Sequence, residues 1–275
     1  QAIVEAAQEE RAPVILQVSQ GAIRYAGMDF AAGLVKIAAS LVDIPVVLHL
    51  DHGTDFEQNV LCLRAGFTSL MYDGSAKPFE ENVAVTRRVA DIAHIVGIPV
   101  EAELGKVLKI QDKVTPEDVA RAMTDPAQAR EFVERTTCDS LAVACGSVHG
   151  MVSREAGLDI ERLKAVRDAT GIPLVLHGSS GVTHEAVQAA IEAGICKVNV
   201  ATTLNVALID GVRKASAAHP DETDPRKIIG AGRDEVKQVV REKIRLFGSA
   251  GTIDTTGGFR TGKKSFRSAE LGEVE

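Results

Sequence analysis

Apolar, β-branched runs alternate with amphipathic stretches along nearly the whole chain. The runs at 13–19 (PVILQVS), 45–52 (PVVLHLDH), 68–73 (TSLMYD), 99–104 (PVEAEL), 140–146 (SLAVACG), 173–178 (PLVLHG) and 196–200 (CKVNV) have the length and composition of buried strands. Several begin at a proline or just after a Gly-Ile pair, where a turn delivers the chain into a sheet. Between them, segments such as 79–97 carry apolar residues at 3.6-residue spacing and predict helices. Strands this apolar, separated this regularly by helices, predict a parallel sheet covered on its outer face.

The count then matters. Seven strands are visible, and the chain opens on a helical pattern, QAIVEAAQEER, with no strand before it. Two architectures fit: a seven-stranded open sheet, or a (β/α)₈ TIM barrel whose first strand is missing from the chain as given. The barrel is favoured, because the opening helix looks like the crossover that follows a strand. A doubly wound sheet is disfavoured, since no glycine-rich fingerprint follows any strand. Past residue 200 the pattern is helical, over TTLNVALIDGVRKASAA and DPRKIIGAGRDEVKQVVREKIRLFG. The expected organisation is one barrel domain over 1–250, C-terminal helices included, with a flexible tail over 251–275 rich in Gly, Ser, Thr and charge.

Composition narrows the partners. The 275 residues are 45% hydrophobic and 25% charged, an ordinary globular balance. A formal charge of -7 argues against nucleic acid, which recruits basic surfaces. Four cysteines at 62, 138, 145 and 196 form no CxxC pair, which suits free thiols in a reducing cytoplasm. No apolar run approaches a membrane span, and the opening residues lack the features of a signal peptide. A soluble, cytoplasmic protein is the expectation.

In a parallel barrel the loops at the carboxyl ends of the strands converge, so chemistry is sought there. Those ends carry Ser19, Asp51 with His52, Asp73, Glu101 and Glu103, His149, His177 with Gly178, and Asn199. Of the seven histidines, His52, His149 and His177 stand at such ends, each followed at once by glycine. Neutral imidazole is a good zinc ligand, and three ligands with an open fourth position make a catalytic site. His94 falls in a helical pattern, His184 and His219 read as surface residues, and His49 points inward below Asp51. Asp51 has two compatible readings: a carboxylate orienting a metal ligand, or a general acid or base. Asp73 and Glu103 read either as charges paired at the sheet mouth or as a second metal position. The segments HGSSGV (177–182) and KVNVATT (197–203) end the last two strands, where barrels often bind phosphate on backbone N–H groups and a helix N-terminus.

Taken in order, HLDHG, SLMYDGS, VEAELG, GSVHG, LVLHGSSG and KVNVAT resemble the class II aldolases of fructose and tagatose bisphosphates, from about residue 1 to LFGSAG. The resemblance implies the TIM barrel, with His52, His149 and His177 on a catalytic zinc and Asp51 as proton donor to the aldehyde oxygen. It implies Asp73 and Glu103 at a second zinc position. Ser19, Gly150, Gly178, Ser179, Ser180, Asn199, Val200, Ala201 and Thr202 would meet dihydroxyacetone phosphate. A monovalent cation, Na⁺ or K⁺, would sit on nearby carbonyls, and the chain would form a homodimer or homotetramer. It gives Lys197 no Schiff-base role. One stretch departs from the family. After VEAELG, Leu108 and Lys109 replace a glycine pair and Gln111 replaces a glutamate, leaving Asp112 as the candidate loop base.

The expected activity is zinc-dependent, reversible cleavage of fructose 1,6-bisphosphate to dihydroxyacetone phosphate and glyceraldehyde 3-phosphate. Three alternatives stand beside it: a tagatose-bisphosphate or other ketose-phosphate aldolase, a catalytically weakened metal-containing sugar-phosphate binder, and a zinc hydrolase. The hydrolase leaves HGSSG and NVAT unexplained.

Overall fold

The computed structural model describes residues 1–108, 115–148, 150 and 157–254. All seven apolar runs are strands: β1 (Val14–Ser19), β2 (Val46–Asp51), β3 (Leu70–Tyr72), β4 (Val100–Leu104), β5 (Ser140–Val143), β6 (Leu174–Leu176) and β7 (Ile195–Val198). β1 pairs with β2, and β3 to β7 pair in chain order, every pair parallel. Single bridges from His49 to Ser69 and from Gly53 to Tyr72 join the two groups into one sequential array. Most strands stop short of the runs that predict them. The polar residue at the end leaves the ladder for the loop, as His52 does with φ at 48°.

The helices are α1 (Ala2–Glu9), α2 (Gln20–Ala26), α3 (Met28–Ser40), α4 (Phe56–Arg64), α5 (Phe79–Ile95), α6 (Pro116–Ala122), α7 (Pro126–Thr136), α8 (Ile160–Thr170), α9 (His184–Ala193), α10 (Thr202–Ala218) and α11 (Pro225–Leu246). Many start where the sequence places a capping side chain. Asp55, Asp125, Asp159 and Thr183 each accept a backbone N–H two or three residues into the first turn. Each such cap stabilises its helix by about 1 kcal/mol.

The main core lies between β4–β6 and the helices outside them, with Phe132, Leu141, Leu163, Leu174 and Val187 fully buried. A second cluster, around Leu50, Phe67, Leu70, Tyr72 and Val89, seats α4 and α5. In the third, α1 packs against α11 through Ala6, Val236, Val240 and Ile244. Glu10 reinforces that contact by accepting from Arg241 and Arg245 at 2.8 and 2.7 Å. The α10–α11 crossing is so close that a Cβ on Gly211 would stand 2.7 Å from the Cα of Gly232.

Two expectations shift. The tail was expected from residue 251, but the Gly251 and Ile253 N–H groups donate to the Glu10 and Arg11 carbonyls and Ile253 is buried. The packed body therefore reaches 254, and 255–275 lie outside the described residues. Second, among the described residues β1 bonds only to β2 and β7 only to β6, so no hydrogen-bonded ring is closed. The array still curls strongly. Asn199, just past β7, reaches Asp51 at the end of β2 with 3.3 Å between Nδ2 and Oδ1. Five strand spacings of about 4.8 Å would hold those strands about 24 Å apart in a flat sheet. Among the described residues, no helix is long and apolar enough to cross a membrane.

Candidate active site

Side chains alternate across a strand, so residues two apart share a face. On the concave face this puts His49 and Asp51 of β2 beside Glu101 and Glu103 of β4, with Lys197 and Asn199 from β7 and its end. His177 joins them one residue past β6. β2, β4 and β6 are apolar on their other face, which is largely buried under the helices, whereas the outer face of β7 leaves Cys196 exposed.

His52 and His177 are at the centre. His52 Nε2 lies 3.2 Å from His177 Nδ1, and the rings stand edge to face with centroids 4.8 Å apart. The outer nitrogen of each ring meets a carboxylate, Asp73 Oδ2 at 2.7 Å from His52 Nδ1 and Glu101 Oε1 at 2.9 Å from His177 Nε2. An ionised carboxylate only accepts, so both outer nitrogens carry hydrogen. His177 Nδ1 is then an acceptor aimed at His52 Nε2, and a proton on His52 Nε2 satisfies it. Burial alone would depress the His52 pKa, but the Asp73 hydrogen bond and the charges of Asp51 and Glu103 raise it to about 9. Asp73, correspondingly, is lowered to about 2 against its burial, by His52 and by Ser75.

Glu101 collects more than His177. Its Oε2 accepts from Lys197 Nζ at 2.8 Å, and His49 Nε2 lies 3.6 Å away. Burial opposes its charge, yet Lys197 and the His177 hydrogen bond hold it below the usual carboxylate range. Lys197 also donates to Asn199 Oδ1 at 2.7 Å, which turns the Asn199 amide nitrogen toward Asp51. His49 is fully buried, bonded through Nδ1 to Ser69 Oγ, and depressed to about 4 by desolvation. It is an inward residue, as expected.

Glu103 is the anomaly. It is buried, its Oε2 has no hydrogen-bond partner, and that oxygen lies 3.6 Å from His177 Nδ1 and 3.9 Å from His52 Nδ1. Burial, with the neighbouring Asp73 charge, raises it to about 7. A buried carboxylate with one unbonded oxygen, its Oε1 accepting from Val107 N at 3.5 Å, beside two imidazoles of which one holds an extra proton, fits a divalent cation that would replace that proton. Imidazole with carboxylate is a donor set zinc accepts. Two overlapping triads, Asp51–His52–His177 and His52–Asp73–Glu103, each bring ligand atoms within 4.8 Å of one another. The two triads are contiguous and share His52, whereas the expected sets were His52, His149 and His177 for one metal and Asp73 with Glu103 for a second. Asp73 is engaged as the orienting partner of that histidine.

The remaining sites assemble nearby. Gly178 adopts φ 67° and leads into a short turn over Ser179–Gly181. Ser179 Oγ donates to the Asn199 carbonyl at 2.6 Å, locking the loop after β6 to the loop after β7. Ser180 is buried beside it, and Val200 leads to Ala201, which caps α10 without a side-chain bond. The first amides of α10, from Thr202 on, therefore lack a side-chain acceptor from the cap. Gly150 has φ 82°. Ser19 lies level with Asp51 in the sheet, and its Oγ accepts from Ala22 N as the cap of α2. His94 pairs with Asp139 at 2.8 Å on the outer surface, away from this site. His149, Lys109, Gln111 and Asp112 lie outside the described residues.

Glu101 and Lys197 are the residues that reading the strand ends left without a role. Their signal was present: each sits two positions before another polar residue in a strand that is otherwise apolar. That period marks a polar inner face.

The model of the family "Fructose-bisphosphate aldolase class-II" matches residues 1–252. A fructose-bisphosphate aldolase of Geobacillus stearothermophilus is 47% identical over 256 residues, covering 91% of this chain and 88% of its own length. One from Staphylococcus epidermidis is 45% identical over 255 residues, with the same coverage of 91% and 88%. Among solved structures, the YdjI aldolase of Escherichia coli K12 superposes with a TM-score of 0.79 at 38% identity, covering 91% of this chain and 87% of that one.

Proposed function

Since the chain belongs to the class-II fructose-bisphosphate aldolase family, and so is an aldehyde-lyase, we propose that it reversibly cleaves fructose 1,6-bisphosphate to dihydroxyacetone phosphate and glyceraldehyde 3-phosphate. The observation that carries this reading is the convergence of His52 and His177, with their outer nitrogens engaged by carboxylates and their inner nitrogens turned toward each other. The family is zinc-dependent. When bound, zinc supplies Lewis-acid stabilisation of the negative charge that develops on the substrate's ketone and hydroxyl oxygens as the carbon–carbon bond breaks.

The chain's own residues do the rest. His52 and His177, with His149, would hold the catalytic zinc, and Glu103 with Asp73 would offer the second position. Asp51, its carboxylate steadied by the Asn199 amide, exchanges a proton with the aldehyde oxygen. Gly178, Ser179 and Ser180 on one side, and Val200 to Thr202 on the other, present backbone N–H groups to the phosphate of dihydroxyacetone phosphate, with Asn199 anchored between them by its own N–H on the Leu176 carbonyl. The Ser179 hydroxyl is already committed to Asn199, so it shapes this cradle and the main chain does the binding. Gly150 and Ser19 complete the walls, and carbonyls of the same glycine loops would hold a monovalent cation, Na⁺ or K⁺. Asp112 is the loop base. The fold is a (β/α)₈ barrel over 1–250, a reading supported by seven sequential parallel strands that curl until β2 meets β7. The enzyme acts in the cytoplasm, as its free cysteines favour.

The altered loop, with Leu108, Lys109 and Gln111, favours a second reading in which another ketose phosphate, tagatose 1,6-bisphosphate included, is the better substrate. A coupled cleavage assay with both bisphosphates, with and without chelator, tests these readings. Chelator should abolish turnover and added zinc restore it. Chelator-insensitive activity would remove the zinc reading, and the preferred substrate decides between the two sugars.

A further inference from the structure

Asp73 and Glu103 bring carboxylate oxygens within 4.8 Å of each other, and two ionised carboxylates that close repel. Asp73 is anchored by Ser75 and by His52. The Glu103 carboxylate has one long hydrogen bond, 3.5 Å from Val107 N to Oε1. Its place beside Asp73 therefore depends on the main chain beneath it.

That main chain is held by a side chain from outside the sheet. β3 ends at Tyr72, level with Ala102, one residue before Glu103. Past this point Asn82 of α5 takes over from the ladder, donating from Nδ2 to the Glu103 carbonyl at 3.0 Å. Asn82 is 2% exposed, and its amide has one possible orientation. A carbonyl only accepts, so the NH₂ faces Glu103 and Oδ1 is left to accept from buried Thr86 Oγ1 at 3.0 Å, one turn further along α5. Gly74, next to Asp73, makes room for this amide. A Cβ there would stand 2.6 Å from Asn82 Cγ and 2.8 Å from Tyr72 Cε1. Its φ lies outside the left-handed region, so space rather than backbone conformation calls for glycine.

The other edge of β4 has its own tie. Thr124 Oγ1 donates to the Leu104 carbonyl and accepts from Ala144 N at 2.9 Å, so loss of Asn82 would free one side of the strand end only. An apolar residue at position 82 would pack α5 on the sheet with no polar group to satisfy. The amide instead contacts the residue that bears the unanchored carboxylate. We propose that Asn82 is a positioning residue for Glu103: its amide fixes the main chain so that the carboxylate stays beside Asp73 and His52, where the second metal position would be. This inference rests on the metal reading given under the proposed function.

Zinc titration of the metal-free chain by chelator competition, run as a double-variant cycle, tests it. Glu103→Gln should weaken the second zinc equivalent. Asn82→Ala should weaken the same equivalent about 10-fold, the low end for groups that orient metal ligands. The double variant should bind no more weakly than Glu103→Gln alone, because Asn82 acts through that carboxylate. Gly74→Ala, which displaces the amide without removing it, should act like Asn82→Ala and replaces it in the cycle if that variant does not fold. Thr136→Val removes an equally buried hydroxyl, bonded to the Phe132 carbonyl in α7, and should leave zinc binding unchanged. Losses that add in the double variant overturn the proposal, as does an equal loss in Thr136→Val, which would mark general loosening. Zinc binding within twofold of wild type in both Asn82→Ala and Gly74→Ala, with Glu103→Gln impaired, overturns the positioning role alone. Unaltered binding in Glu103→Gln removes the second metal position itself, and the proposal with it.

Discussion

Replacing Glu101 by Gln changes one atom in the most constrained part of the site. Glu101 accepts from two directions, His177 Nε2 at 2.9 Å and Lys197 Nζ at 2.8 Å. A glutamine offers one acceptor and one donor, so it can satisfy only one of them. If its oxygen faces Lys197, its N–H₂ faces His177 and forces the imidazole hydrogen onto Nδ1, the nitrogen proposed to bind metal. Partners of this kind typically change metal affinity 10–100-fold, the expected weakening here. Lys197, mostly buried, also loses its counter-charge, and leaving a buried charge unpaired costs about 3–5 kcal/mol; the low end applies because Lys197 keeps Asn199. Chelator-competition titration of zinc and denaturant unfolding of the metal-free chain read the two effects separately. Adding Lys197→Met should recover much of the stability and none of the zinc affinity. A folded Glu101→Gln variant that binds zinc within twofold of wild type would refute the argument that Glu101 sets the His177 tautomer.

Other expectations concern the same site and the scaffold. Asp51→Asn should lower aldol cleavage about 10²–10⁴-fold while zinc content is retained, and unchanged turnover would remove Asp51 from the chemistry. In the metal-free chain His52 holds its proton up to about pH 9 and Glu103 up to about pH 7. Zinc must displace both protons, so its apparent affinity should rise with pH through 7 and on toward 9. Calorimetry in buffers of different ionisation enthalpy should show proton release at pH 6.5 that fades above 9, and a pH-independent affinity would contradict this. Gly232→Ala places a Cβ 2.6 Å from the Leu208 carbonyl and should cost about 1–3 kcal/mol in denaturant unfolding, as overpacking does. Burial pushes the Cys138 and Cys145 thiols up to about 12 and also raises buried Cys62, so a thiol reagent at pH 8 should label only exposed Cys196 until the chain unfolds. Rapid labelling of a second cysteine in the folded protein would show that this core opens.

Local chemistry was legible in the sequence because it is local. Period and composition marked all seven strands, and the side chains that cap α4, α7, α8 and α9 stand one residue before the helices they start. The inward placement of His49 followed from its being two residues from Asp51. The six ordered motifs carried the family, since each places a polar residue at the end of an apolar run. Pairwise geometry was not legible. Nothing in the spacing of 101 from 177 or 197 says that Glu101 holds both His177 and Lys197, because those distances depend on how far the sheet curls. Nor could sequence show that Asp73 accepts from His52, that one oxygen of Glu103 is left without a hydrogen bond, or that residues 251–254 pack on α1. The tertiary structure decided these, because a carboxylate's role depends on which donors folding brings within about 3 Å of it.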